Sequence, residues 1–85
     1  MLKDININIL TLDCTLKHVI FRNEDNSWSV LKFQDNNTND DFIAKGYFTI
    51  LHDNQKFTLK GYWVKHPQYG QQFQVVSYIQ QLPTS

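Results

Sequence analysis

Apolar and polar residues alternate with a period near two along most of the chain, and runs rich in Asn, Asp, Gly and Pro interrupt the alternation. The pattern predicts five strands: Thr11–Arg22, Trp28–Gln34, Phe42–Phe48, Lys56–Lys65 and Gln71–Gln80. In the first, Cys14 and Leu16 share one phase while Val19 and Phe21 share the other, so a bulge is expected near Lys17–His18. Asn23–Ser27 and Asp35–Asp41 read as exposed turns. Thr49–Gln55 is long enough for one helical turn but too short for a stable helix. The clearest hairpin is GYWVKHPQYGQQFQV, Gly61 to Val75, where Pro67 presets the turn and Gly70 supplies the positive φ that closes it.

Five strands, a bulged first strand, and glycines inside the third and fourth (Gly46 and Gly61) describe an all-β chain bent into a small Greek-key barrel of the OB type. An SH3-like barrel competes, because the strand count does not separate the two. The barrel is expected over residues 12–82. Residues 1–11, with Ile5, Ile7 and Ile9 alternating with Asn6 and Asn8, read as an arm or an extra edge strand. An unpaired edge at Ile5–Ile9 would offer strand addition to a second copy, making a homodimer. Residues 83–85 read as the start of a linker.

A chain of 85 residues holds one small core, and 12 aromatic side chains can fill it. The lone Cys14 excludes an internal disulfide and sits among apolar neighbours with no base, as a structural thiol does. His18, His52 and His66 show no metal-ligand spacing, and Glu24–Asp25 and Asp40–Asp41 are adjacent acids that do not converge on a reacting group. Neither catalytic nor metal residues are expected. Eight basic and eight acidic residues cancel, which argues against a strongly basic nucleic-acid binder. The signs are nevertheless segregated, since Thr58 to Ser85 holds two lysines and no acid. No apolar run approaches the roughly 20 residues of a membrane helix, and the N-terminus lacks the apolar core of a signal peptide, so a cytoplasmic protein without membrane contact is expected.

Two ordered blocks carry a resemblance. LKHVIFRNEDNSWSVLKF holds Phe21, Asn23, Glu24, Asn26, Trp28 and Val30, and LKGYWVKHPQYGQQFQVVSYIQQLP holds Gly61, Trp63, His66, Pro67, Tyr69, Gly70, Gln72 and Phe73. Together they resemble the N-terminal OB-like domain of RecD-like ATP-dependent DNA helicases of the YrrC type, related to the exodeoxyribonuclease V alpha subunit, over about 70 of the 85 residues. Ser27 stands where that family has Gly, which puts a positive-φ turn there in doubt, and the Ile/Asn arm has no counterpart. The resemblance implies a parent helicase that unwinds DNA in recombination and repair. It implies for this domain a non-catalytic role that assists binding or guidance of single-stranded DNA ahead of the motor. The other reading is a docking domain that contacts the helicase motor of the same chain or a partner protein. The 85 residues contain no G-x-x-x-x-G-K-[ST] loop, so no cofactor is expected, and ATP and Mg would belong to the missing motor.

Barrels of this type bind single strands with aromatic platforms and basic side chains on the second and third strands. With Leu31 and Phe33 inward, alternation sends Trp28, Val30 and Lys32 outward. With Phe42, Ala44 and Phe48 inward, it sends Ile43, Lys45 and Tyr47 outward. Lys60 and Tyr62 have a similar phase in the fourth strand. Candidate nucleic-acid contacts are therefore Trp28, Lys32, Lys45, Tyr47, Lys60 and Tyr62, with Lys65 and Tyr69 flanking the hairpin turn. The size of Trp28 weighs it towards the core instead, and Trp63, in phase with Phe57 and Leu59, reads as core. The plain role for His66, Pro67 and Tyr69 is turn chemistry.

Overall fold

The computed structural model describes residues 8–81. Five strands follow one another: β1 (Leu10–Arg22), β2 (Trp28–Asp35), β3 (Asp41–Tyr47), β4 (Lys56–His66) and β5 (Gly70–Gln81). Each end lies within one residue of the alternation pattern. They close in the order β1-β2-β3-β5-β4, with β1 also paired to β4. Every pairing is antiparallel except β3–β5, which is parallel and joined only through Ala44↔Phe73 and Lys45↔Gln74. This is the Greek-key barrel of the OB type, and the SH3-like alternative falls away. Residues 1–7, most of the expected arm and dimer edge, and the expected linker at 83–85 lie outside the described residues.

Three bulges bend the wall into a closed barrel. Lys17 and Ile20 are the unmatched residues of β1, between the pairs Leu16↔Phe33 and His18↔Lys32 and between Val19↔Leu31 and Phe21↔Val30. Val76 is the unmatched residue of β5, between Lys60↔Ser77 and Gly61↔Val75. The second bulge in β1 corrects the expectation that Val19 and Phe21 share a phase. Val19 packs on the core, whereas Phe21 lies outside and is 52 % exposed.

Inward positions of all five strands, with Phe48 from the β3–β4 connection, supply the core: Cys14, Leu16, Leu31, Phe33, Ala44, Phe48, Phe57, Leu59, Phe73 and Val75. Phe33 lies 5.5 Å from Phe57 and 6.2 Å from Phe48, and Phe48 stacks on Tyr78 at 4.6 Å. Such pairs add about 0.5–1.5 kcal/mol each beyond their burial. The β3–β4 connection forms no helical turn. It crosses the barrel end instead, with Leu16 N–H donating to Gln55 O, Asn54 N–H to Leu16 O, and the Gln80 side-chain amide to Ile50 O. Among the described residues no helix is long and apolar enough to cross a membrane.

The turns are built by side chains. In β1–β2, Asn23 Oδ1 accepts from Asp25 N–H and Asn26 Oδ1 from Trp28 N–H. Ser27 takes φ 66° despite its Cβ, so the glycine-like turn forms without the glycine. Left-handed backbone costs a non-glycine residue roughly 1–2 kcal/mol, partly offset by the greater freedom glycine loses on folding. Ser27→Gly is expected to stabilise the domain by about 0.5–1 kcal/mol, read as a rise of a few degrees in the thermal midpoint. In β4–β5, Gly70 has φ 81°, and His66 Nδ1 accepts from the N–H groups of Gln68 and Tyr69 at 3.1 and 3.2 Å. The ring of Tyr69 lies 4.8 Å from that of His66, so the expected turn chemistry is present.

Candidate nucleic-acid interface

Because Ser29, Leu31, Phe33 and Ala44 are buried, their strand neighbours face out, and the register sets them in rows across the wall. His18, Lys32 and Ile43 form one row over β1–β2–β3. Phe21, Val30, Lys45, Gln74 and Tyr62 form a second, which runs across all five strands. Trp28 and Tyr47 form a third and meet edge to face at 4.9 Å. Tyr47 remains 62 % exposed and shields part of Trp28. The weight of Trp28 towards the core is corrected here: alternation decides its side of the sheet, and it joins no core contact. Trp63 lies on the core, edge-on to Phe73 at 5.0 Å.

The candidates therefore divide. Trp28, Lys32, Lys45 and Tyr47 share the outer face of β2 and β3, and Tyr62 extends the middle row on β4 beyond Gln74. Lys60 is exposed further along β4, opposite Thr11 and Ser77, while Lys65 and Tyr69 lie exposed at the β4–β5 turn. Phe21 joins the face because the second bulge in β1 turns it outward. His18 and Gln74 also join the rows. Gln74 is fixed by donating to Lys45 O at 3.3 Å.

Lys32 Nζ lies 3.4 Å from Asp41 Oδ2, which offsets its charge, whereas Lys45 has no carboxylate partner among the described residues. Glu24 and Asp25 lie at the β1–β2 turn, and Asp35, Asp40 and Asp41 at the β2–β3 turn, so acids bound the face at both ends. The middle row, which holds Lys45 and no carboxylate, lies between them.

Arg22 buttresses this face from within. Its guanidinium donates to Ser29 Oγ and Phe48 O, both at 2.9 Å, and to Thr49 O at 2.8 Å, and Glu24 lies 3.5 Å away. One side chain thus ties β1, β2 and the β3–β4 connection next to Trp28 and Tyr47.

The chain's one thiol lies away from this face. Cys14 is fully buried, its thiol facing Phe57 O at 3.8 Å. Burial, reinforced by Asp35 and Asp13, pushes the thiol from 9.0 up to about 12. Above pH 9 the unfolded chain ionises this group and the native one does not, so stability is full below pH 9 and falls as pH rises towards 12. The slope reaches about 1.4 kcal/mol per pH unit. Urea midpoints at pH 8 and pH 10 should show this fall in the native sequence and a smaller one in Cys14→Ala. A disulfide reagent at pH 8 should label the thiol only as fast as the domain unfolds.

The closed five-stranded barrel agrees with a comparison against protein families, in which residues 10–83 match the model for the OB-fold domain of ATP-dependent DNA helicase YrrC. The chain belongs to this family. No solved structure matches it. The match covers all five strands, and within this YrrC-type OB-fold domain the outer rows over β2 and β3 occupy the surface with which barrels of this fold hold oligonucleotides.

Proposed function

We propose that this domain is a non-catalytic, cytoplasmic module that binds single-stranded DNA for an ATP-dependent helicase acting in unwinding and repair. The strand crosses the barrel along Phe21, Val30, Lys45, Gln74 and Tyr62, with the Trp28–Tyr47 pair as a second stacking platform. The carrying observation is the row that sets exposed Phe21 and half-buried Tyr62 about Lys45, which has no carboxylate partner among the described residues, beside the Trp28–Tyr47 pair. A path across the strands follows from the acids at both turns, which repel phosphates from a path along them. ATP and Mg would be held by the motor, with no part played by this domain.

Few phosphates are neutralised on such a face, so affinity should be modest and its salt dependence shallow. The expected slope of log K against log salt is about −1 to −2. In fluorescence anisotropy with labelled oligothymidylate at low salt, Tyr47→Ala and Tyr62→Ala should each weaken binding about tenfold. Lys65→Ala and Tyr69→Ala should change it far less. Absence of binding at the lowest salt removes this reading for the isolated domain.

A further inference from the structure

We propose that a second surface, at the opposite end of β2 and β3 from Trp28 and Tyr47, is a docking groove for an arginine presented by a partner protein segment. The parallel β3–β5 pairing brings the β2–β3 turn beside β4 and the start of β5, leaving a groove of about 420 Å³ between them. Phe42, Ile43 and Trp63 give it an apolar lining, and Asp35, Asp40 and Asp41 give it a negative rim. Trp63 and Phe42 meet edge to face at 5.6 Å, and both are braced on Phe73, so the apolar wall is rigid.

The charge of the rim is only partly used within the domain. One oxygen of Asp35 accepts from the N–H groups of Asn37 and Thr38, and one oxygen of Asp41 faces Lys32. The carboxylate of Asp40 has no partner among the described residues. The only arginine of the chain, Arg22, is held at the other end of the sheet. Among the described residues these carboxylates do not converge as a metal-binding group. Phosphates are repelled by the same rim, so the groove is unsuited to the DNA strand proposed for the outer face. A guanidinium fits on both counts, since its planar fork pairs with carboxylates and its faces lie well against aromatic rings. Apolar residues beside that arginine would cover Phe42 and Ile43.

The probe is the capped peptide Gly-Leu-Arg-Leu-Gly, titrated into the ¹⁵N-labelled domain at low salt, with the citrulline peptide as its neutral isostere. Saturable shifts are expected at the Trp63 indole N–H and the amides of Asp40, Asp41 and Gln71, with Kd about 1–10 mM. The citrulline peptide should bind at least about fivefold more weakly, and Asp40→Asn with Asp41→Asn should cost about tenfold together. Oligothymidylate should leave these signals in place. Equal binding of the citrulline peptide, peptide shifts centred on Trp28 and Tyr47, or no saturation would each overturn the assignment. The DNA reading stands or falls separately, on the outer face.

Discussion

Gly61→Ala is expected to destabilise the domain by about 3 kcal/mol, close to the upper end for overpacking a well-filled site. Gly61 sits opposite Val75 where Val76 is unmatched, and there the β5 backbone at Gln74 comes close against it. A Cβ on Gly61 would overlap the Gln74 carbonyl oxygen and stand 3.0 Å from the Phe73 ring. The obstacle is backbone already engaged in the β4–β5 ladder, so it cannot swing aside as a flexible side chain would. Relief requires β4 and β5 to separate where Tyr62 and Gln74 complete the middle row, so the same substitution should weaken DNA binding. Urea denaturation should show the midpoint falling with little change in slope. A change below about 0.5 kcal/mol would mean that the bulge is more pliable than its contacts suggest.

Arg22→Met should cost about 2–3 kcal/mol, because it keeps the stem and deletes a charged donor to three oxygens. Ser29 is fully buried, and the Phe48 and Thr49 carbonyls start the connection that seals the barrel end. Arg22→Lys should recover less than half of the loss, since an ammonium cannot span three acceptors that a planar fork reaches together. Hydrogen exchange offers a local readout. The N–H groups of Phe48 and Thr49, bonded to Ser27 O and Tyr78 Oη, should exchange faster in Arg22→Met than the rest of the barrel. Uniform acceleration would mean that Arg22 contributes only to global stability.

Strand positions were legible because alternation and turn residues are local signals. Trp28–Asp35 buries every second residue from Ser29 to Phe33, and this phase alone buries Leu31 and Phe33 together. The Lys32, Lys45, Trp28 and Tyr47 face follows from the same alternation once the direction of the core is known. What escaped is nonlocal. The second bulge in β1, which turns Phe21 outward, leaves no mark in residues 17–21 beyond an apolar run, because it is set by the register against β2. The role of Arg22 depends on carbonyls 26 and 27 residues away. The groove at Trp63 exists only because β3 and β5 meet in parallel, a contact of two residue pairs between distant segments. Ser27 shows the converse: the turn imposed left-handed backbone on a residue that does not prefer it.

The proposed path takes single-stranded DNA across the barrel along its middle row. Mapping amide and indole shifts of the ¹⁵N-labelled domain with oligothymidylate of about ten nucleotides tests it most directly. Saturable shifts are expected at Phe21, Trp28, Lys45, Tyr47, Tyr62 and Gln74, with the Asp40–Trp63 groove unmoved. Shifts confined to that groove or to the His66–Gly70 turn, or none at the lowest salt, would contradict it.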